Sequence, residues 1–289
     1  MQERVGPYRL ERVLGEGSTA VVHRAHHVRD GTVVALKILK GHLAADEIYR
    51  RRFLREARAA SEVRHPNLVT ILEHGESGGR YYLAAAYAAG GSLAAAITRH
   101  GRLTIGETAG IAGEVASGLD ALHAHGIVHR DVKAANVMLD VDGHVALTDF
   151  GLAKGQRYTA LTTMGQIVGS PAYLAPERIR RQETTPAGDI YALGCLVYEC
   201  LAGRPPFNAT SVFQLAVAHM TEDAPSLAEI RRDVTPALDA AVRTAMAKDP
   251  ARRPVTAAAF ADLVFAAAHA ADRSAGPAAA LSSAHGSGS

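Results

Sequence analysis

The sequence predicts an α+β fold of two lobes: a small antiparallel sheet with one main helix, then a larger, mainly helical lobe. Three observations predict it. Short strand-like runs divided by turn signals fill most of the first 87 residues. One amphipathic helical run interrupts them. From Leu93 onward the apolar residues recur at helical intervals.

The elements follow in order. "YRLERVL", "AVVHRAHHV" and "TVVALKIL", between residues 8 and 39, are β-branched or alternating, and "GEGS" and "RDGT" separate them. Connections this short predict hairpins. Residues 46–63, "DEIYRRRFLREARAASEV", place Ile48, Phe53, Leu54, Ala57 and Ala60 at helical spacing, with Arg and Glu on the other faces. "NLVTILEHG" and "RYYLAAAY" return to strand character. In the second part, "TIGETAGIAGEVASGLDALHAHG" carries Ile111, Val115, Leu119 and Leu122 at helical intervals. "DIYALGCLVYECLAG" is apolar nearly all round, hence a buried helix. "TPALDAAVRTAMAKDP" and "TAAAFADLVFAAAHA" each begin with a Thr suited to capping. The expected boundaries are a small lobe at 8–87, a connection at about 86–91, and a large lobe at 92–268. Residues 269–289 are rich in small residues and end in Gly/Ser, as a flexible tail does.

Composition narrows the function. Hydrophobic residues are 48% and charged residues 21%, ordinary for a globular chain. Net charge is +2 with no long basic run, which argues against a nucleic-acid partner. No apolar run reaches the roughly 18 residues of a membrane span. The start, "MQERVGPYRL", has no signal-peptide core. Cys195 and Cys200 lie five apart in one apolar helix, on different faces, so two free thiols and a reducing, cytoplasmic location are expected.

Several short runs carry chemistry. "LGEGSTAVV", Leu14 to Val22, is either a glycine hairpin or a loop whose amides cradle a phosphate. A Rossmann loop is excluded, because a strand follows it rather than a helix. "VALK" sets Lys37 in an apolar strand, as a solvated edge lysine or as a phosphate partner oriented by Glu56. "HRDVKAANVML" is the most informative run. Asp131 suits proton acceptance, Lys133 suits balancing charge on a transferring group, and Asn136 suits a metal through its amide oxygen. A metal cluster of His123, His125 and His129 is disfavoured, because an i, i+2 spacing splays side chains apart on a helix. "DVDG" opens like a calcium loop, but its twelfth position is Gly151 rather than glutamate. "TDFG" supplies Asp149, which with Asn136 makes an oxygen-rich site suited to magnesium.

"LGEGSTAVV", "VALK", Glu56, "HRDVKAAN", "DFG" and "APE" occur in an order and spacing that resembles the eukaryotic-like protein kinases. The resemblance continues through "DIYALGCLVYE" and "KDPARRP" and covers residues 8 to 265. "YLAPE" and "GRPPF" are most similar to bacterial Hanks-type serine/threonine kinases. It implies the bilobal protein kinase fold and transfer of the γ-phosphoryl group of ATP to Ser/Thr hydroxyls of protein substrates.

The resemblance also implies roles. The loop formed by Leu14, Gly15, Glu16, Gly17, Ser18, Thr19, Ala20, Val21 and Val22 would cover the phosphates. Lys37, oriented by Glu56, would hold the α- and β-phosphates. Asn136 and Asp149 would bind Mg²⁺, with Mn²⁺ an alternative. Asp131 would accept the hydroxyl proton, and Lys133 would contact the γ-phosphate. Val22, Ala35 and Met138 would sandwich adenine. "YYLAAAYAAGGSL" would be the hinge, with Ala85 as gatekeeper, Ala86 and Ala88 offering backbone groups, and Ser92 where many kinases bind ribose. Arg253 would pair with Glu177, and Asp189 would anchor the catalytic loop. Arg130, preceding Asp131, goes with control by activation-loop phosphorylation, here at Thr162 and Thr163 because the neighbouring position is Met164. Similar kinases often pair through their small lobes, so a homodimer is expected, and the chain is either cytoplasmic or the cytoplasmic part of a membrane-anchored protein.

Overall fold

A computed structural model of the chain describes residues 3–150, 171–183 and 185–274. The turn-divided runs pair into one antiparallel sheet of β1 (Arg4–Val5), β2 (Tyr8–Glu16), β3 (Ala20–His27), β4 (Val33–Leu39), β5 (Ile71–Ser77) and β6 (Arg80–Ala86). Their order is β1-β2-β3-β4-β6-β5, because α1 (Gly41–Ala44) and α2 (Glu47–Glu62) intervene between β4 and β5. Strand alternation sends side chains to two faces. Tyr8, Leu10, Ala25, Leu36, Tyr82 and Ala84 cluster on one. Leu83 and Ala85 turn to the other, where Phe53 and Ala57 of α2 pack.

Asp46 caps α2 by accepting from Ile48 N at 2.8 Å. Phe53, Ala57 and Ala60 form its buried face. Ile48 does not join them; it is 73% exposed. Five residues from Phe53, it lies about 140° round the helix and faces solvent.

The second lobe holds a three-stranded sheet, β7 (Gly91–Ser92), β8 (Val137–Leu139) and β9 (Val145–Leu147), in that order. Its helices among the described residues are α3 (Leu93–His100), α4 (Ile105–Ala124), α5 (Pro176–Ile179), α6 (Pro186–Ala202), α7 (Val212–Thr221), α8 (Leu227–Ile230), α9 (Pro236–Ala245) and α10 (Ala257–Ser274). The all-round apolar run becomes α6, buried almost without a break from Gly188 to Leu201, with α4, α9 and α10 packed about it. Thr104 and Glu107 form a capping box on α4, and Thr235 and Thr256 cap α9 and α10. Cys195 and Cys200 are free and buried. The last helix runs past residue 268. Alanines and charged residues sustain α10 to Ser274, and the first helix breakers, Gly276 and Pro277, come only after it. Residues 275–289 lie outside the described residues.

One buried group carries no sequence signal. His219 of α7 is fully buried, with Nδ1 2.8 Å from Tyr191 Oη and the Phe207 ring 4.8 Å from its own. Lys248 donates to the His219 carbonyl at 2.9 Å. Burial, and then the Lys248 charge, push the imidazole pKa down to about 3. The unfolded chain takes up this proton near pH 6.5. Stability is therefore complete above about pH 6.5 and is lost as pH falls toward about 3, at up to about 1.4 kcal/mol per pH unit. Buried His129, also shifted down, adds in the same direction. Urea titrations between pH 7 and 5, before carboxylates titrate, should show stability falling in the parent and a shallower fall in His219→Gln. Equal slopes would remove His219 as a source.

Candidate active site

The central loop is held from below by a carboxylate. Asp189, in the first turn of α6, is 1% exposed. Its Oδ2 accepts from His129 N at 2.8 Å and lies 2.8 Å from His123 Nε2, and its Oδ1 accepts from Arg130 N at 2.8 Å. These bonds hold Arg130 in the left-handed region, at φ 68°, which a non-glycine residue seldom adopts. Arg178 donates to the carbonyl of Arg130 from the other side. His129 Nδ1 accepts from Asp131 N at 3.2 Å, and burial lowers the His129 pKa, so the ring is neutral. The three histidines weighed as a metal cluster have separate tasks: His125 bonds the carbonyl of Ala121, four residues back.

Asp131 thereby faces Lys133 and Asn136. Lys133 Nζ lies 3.0 Å from Asp131 Oδ2. Asn136 Nδ2 donates to Asp131 O and to Oδ2, both at 2.8 Å, which directs the amide oxygen the other way. Thr148 N donates to Asn136 O at 2.9 Å, and Asp149 follows, at φ 63°. Asn136 and Asp149 so flank the β8–β9 hairpin.

Lys37 donates to Asp149 Oδ1 at 2.8 Å. Burial works to raise the Asp149 pKa, but Lys37 outweighs it and holds the carboxyl below the usual carboxylate range. Glu56, expected to orient Lys37, accepts from Arg52 Nε at 2.9 Å, one turn back on α2. The pair is local to one helix and forms without bringing α2 and the sheet together, and Lys37 turns to the carboxylate across the cleft.

The glycine loop bends between β2 and β3, where Gly17 N donates to Ala20 O at 2.9 Å. Residues 14–18 are exposed, and a Cβ on Gly15 would meet nothing within 4 Å. The protein does not itself require that glycine; a phosphate lying against the backbone would. Glu16 pairs with Lys40 at 2.6 Å, and Ala20 is buried away from the loop surface. Beneath, Val22, Ala35, Lys37, Ala85, Asp149 and Phe150 line a cavity of about 40 Å³ together with Val69, Ile71, Leu83 and Thr148. Ala85 stands in that lining and Ala84 on the opposite face.

Ala86 is exposed at the end of β6, where its N–H donates to Thr70 O at 2.9 Å, and Ala88 is half-buried. Gly90 is required: a Cβ there would stand 2.3 Å from Asp140 O. Ser92 pairs with Met138 across β7 and β8, and its Oγ caps α3 by accepting from Ala95 N at 3.2 Å. Farther out, Arg253 grips Glu177 with two bonds, 2.7 and 2.8 Å, with both side chains buried. Thr162 and Thr163, with Met164, lie outside the described residues. The sequence reading missed Arg178 and Arg52. Nothing local marks Arg178, whereas the i, i+4 spacing of Arg52 and Glu56 was present to be used.

The donor set suits a hard divalent cation. Asn136 and Asp149 offer oxygen ligands, and magnesium is commonly held by one or two side chains together with phosphate oxygens.

Comparison with known proteins agrees with this geometry. A family model described as the protein kinase domain matches residues 8–265. The serine/threonine-protein kinase PknD of Mycobacterium tuberculosis is 39% identical over 263 residues, spanning 91% of this chain and 39% of PknD. The serine/threonine-protein kinase PknH of Mycobacterium bovis is 38% identical, over 91% of this chain and 44% of PknH. The chain thus spans less than half the length of these relatives. The crystal structure of the Mycobacterium tuberculosis PknI kinase domain, as its C20A mutant, superposes with a TM-score of 0.73 at 30% identity, over 92% of this chain and 98% of that one.

Proposed function

We propose that this chain, which belongs to the protein kinase family and to its bacterial Hanks-type serine/threonine branch, transfers the γ-phosphoryl group of ATP to Ser and Thr hydroxyls of protein substrates. One observation supports the reading: Lys37 bonds Asp149, Lys133 and Asn136 flank Asp131, and the Asp131 and Asp149 carboxylates lie close enough to act on each other. Phosphoryl transfer asks for positioning and charge neutralisation more than covalent chemistry.

Asp131 takes the proton of the acceptor hydroxyl while its oxygen bonds the γ-phosphorus and the bond to the β–γ bridging oxygen breaks, releasing ADP. Lys133 stands beside Asp131 and meets the γ-phosphate. Lys37 holds the α- and β-phosphates, which requires it to leave Asp149 and Glu56 to leave Arg52. Asn136 and Asp149 hold Mg²⁺, or Mn²⁺, which when bound neutralises charge on the phosphate oxygens. Val22, Ala35 and Met138 enclose adenine, with Ala86 and Ala88 offering backbone groups. A homodimer through the small lobes and a cytoplasmic position follow from the family resemblance. No helix among the described residues is long and apolar enough to cross a membrane.

The test is transfer of labelled phosphate from ATP to a generic basic protein, with small-molecule acceptors in parallel. Asp131→Asn should keep ATP binding and lose about 10²- to 10⁴-fold in rate. Lys37→Met should be nearly inactive, and excess EDTA should abolish transfer. A parent-like rate in either variant overturns the site assignment.

A phosphothreonine carries about −1.5 to −2 charges that basic groups can order, and Arg130 and Lys154 are the candidates. Mass spectrometry after incubation with Mg-ATP should find phosphate on Thr162 or Thr163. Full activity and unchanged segment phosphate in a Thr162→Ala/Thr163→Ala variant would refute this role.

Ala85 lines the cavity of about 40 Å³ with little bulk of its own, and apolar groups gain about 25 cal/mol per Å² on burial. An adenine analogue enlarged at the purine edge should bind the parent more tightly than Ala85→Met. Equal dissociation constants would mean that another side chain closes the space.

A further inference from the structure

A carboxylate outside the cleft locks the two lobes together where the candidate metal ligands are mounted. The segment Asn67–Val69 leads into β5 of the sheet lobe and lies parallel to β9 of the helical lobe. Leu147 N donates to Asn67 O at 2.9 Å, Val69 N donates to Leu147 O at 2.8 Å, and Leu68 and Leu147 bridge between them. Glu114 of α4 closes the joint with a single oxygen. Its Oε2 accepts from Asn67 Nδ2 at 3.1 Å and from Val145 N at 2.9 Å, while Asn67 Nδ2 also donates to Val145 O at 3.0 Å. The seat is tight, since a Cβ on Gly118, one turn along α4, would stand 2.7 Å from Asn67 O.

The position of this joint gives it a consequence for chemistry. Asn136 immediately precedes β8, Asp149 follows β9 by two residues, and β8 pairs with β9. Both candidate ligands are therefore fixed to the ends of one hairpin, and Asn67–Val69 bridges to the β9 edge of that hairpin. The same segment runs back to α2, which bears Glu56, and forward to β6, which pairs with the strand bearing Lys37. A slip of Asn67–Val69 on β9 would move Lys37 and Asp149 relative to each other. A carboxylate that accepts at once from the segment's side chain and from the hairpin's backbone resists that slip, because movement breaks two hydrogen bonds to a charged acceptor.

We infer that Glu114 is a positioning residue for phosphoryl transfer: it holds Asn67–Val69 in register on β9, so that Asn136 and Asp149 meet a divalent cation opposite Lys37. The inference rests on the protein kinase reading of the cleft. Groups that orient metal ligands from outside the coordination sphere typically affect metal affinity by about 10- to 100-fold.

The test is calorimetric titration of ATP at a series of Mg²⁺ concentrations, for the parent, Glu114→Ala, Glu114→Gln and Glu107→Ala. Glu107 caps the same helix with Thr104, about two turns before Glu114, so its variant reports loss of stability alone. In Glu114→Ala, the Mg²⁺ concentration for half-maximal ATP binding should rise about tenfold, with ATP binding in EDTA unchanged. Glu114→Gln keeps an acceptor oxygen and should stay within about twofold of the parent. Glu107→Ala should lower the melting temperature and leave the Mg²⁺ midpoint in place. Should Glu114→Ala not fold, Glu114→Asp, one methylene short of Val145, is read the same way. A parent-like Mg²⁺ midpoint in these Glu114 variants overturns the inference, whatever their melting temperatures. A parent with neither Mg²⁺-dependent ATP binding nor transfer overturns the kinase reading instead, and the inference with it.

Discussion

Asp189 is the point from which the cleft is built. A carboxylate 1% exposed is tolerable only if donors surround it, and here the donors are the amides of His129 and Arg130 and the ring of His123. Hydrogen bonds to a charged group contribute roughly 1.5–3 kcal/mol each. That is enough to hold Arg130 at φ 68° against a cost of roughly 1–3 kcal/mol. The turn so forced aims Asp131 into the cleft, and Asn136 and Lys133 are then set against it. The buried helix supplies the rigidity: α6 is enclosed by α4, α9 and α10, so Asp189 has no freedom to follow a moving loop.

The charges around the cleft form a closed exchange. Lys37 neutralises Asp149, and Arg52 neutralises Glu56. In the kinase reading Lys37 would instead pair with Glu56. Bound phosphates would draw Lys37 away from Asp149 and leave that carboxylate to a cation. The cost of the exchange falls on Arg52, whose pair is half-buried and local, and so is weak by comparison with the Arg253–Glu177 pair, where both side chains are out of water.

Small residues decide the approach of the lobes. Gly90 and Gly118 sit where any side chain would strike backbone oxygen, of Asp140 and Asn67 respectively. Both contacts lie at the β8–β9 hairpin or the segment packed on it, so two of the contacts between the lobes are each closed by a missing Cβ. The alanines of β6 act differently. Ala84 fills a close-packed face, and Ala85 leaves space in the cleft.

The sequence by itself determined the order of elements, the two-lobed α+β class and most of the residues at the cleft. Those signals are local: strand alternation, turn residues, helical period, and short runs such as "HRDVKAAN" whose members stay close in any fold. The Arg253–Glu177 pair and the Asp189 anchor were legible through family resemblance rather than spacing. Tertiary structure alone decided which cation each acid takes, because Lys37 and Asp149 are 112 residues apart, whereas the competing Arg52–Glu56 pair needs only one helical turn. It also decided that Ile48 faces water, that α10 outlasts the expected boundary, and that His219 is buried beside Tyr191. The joint at Glu114 has no signature at all in the chain, because its three members come from a loop, a helix and a strand that meet only once the lobes have packed.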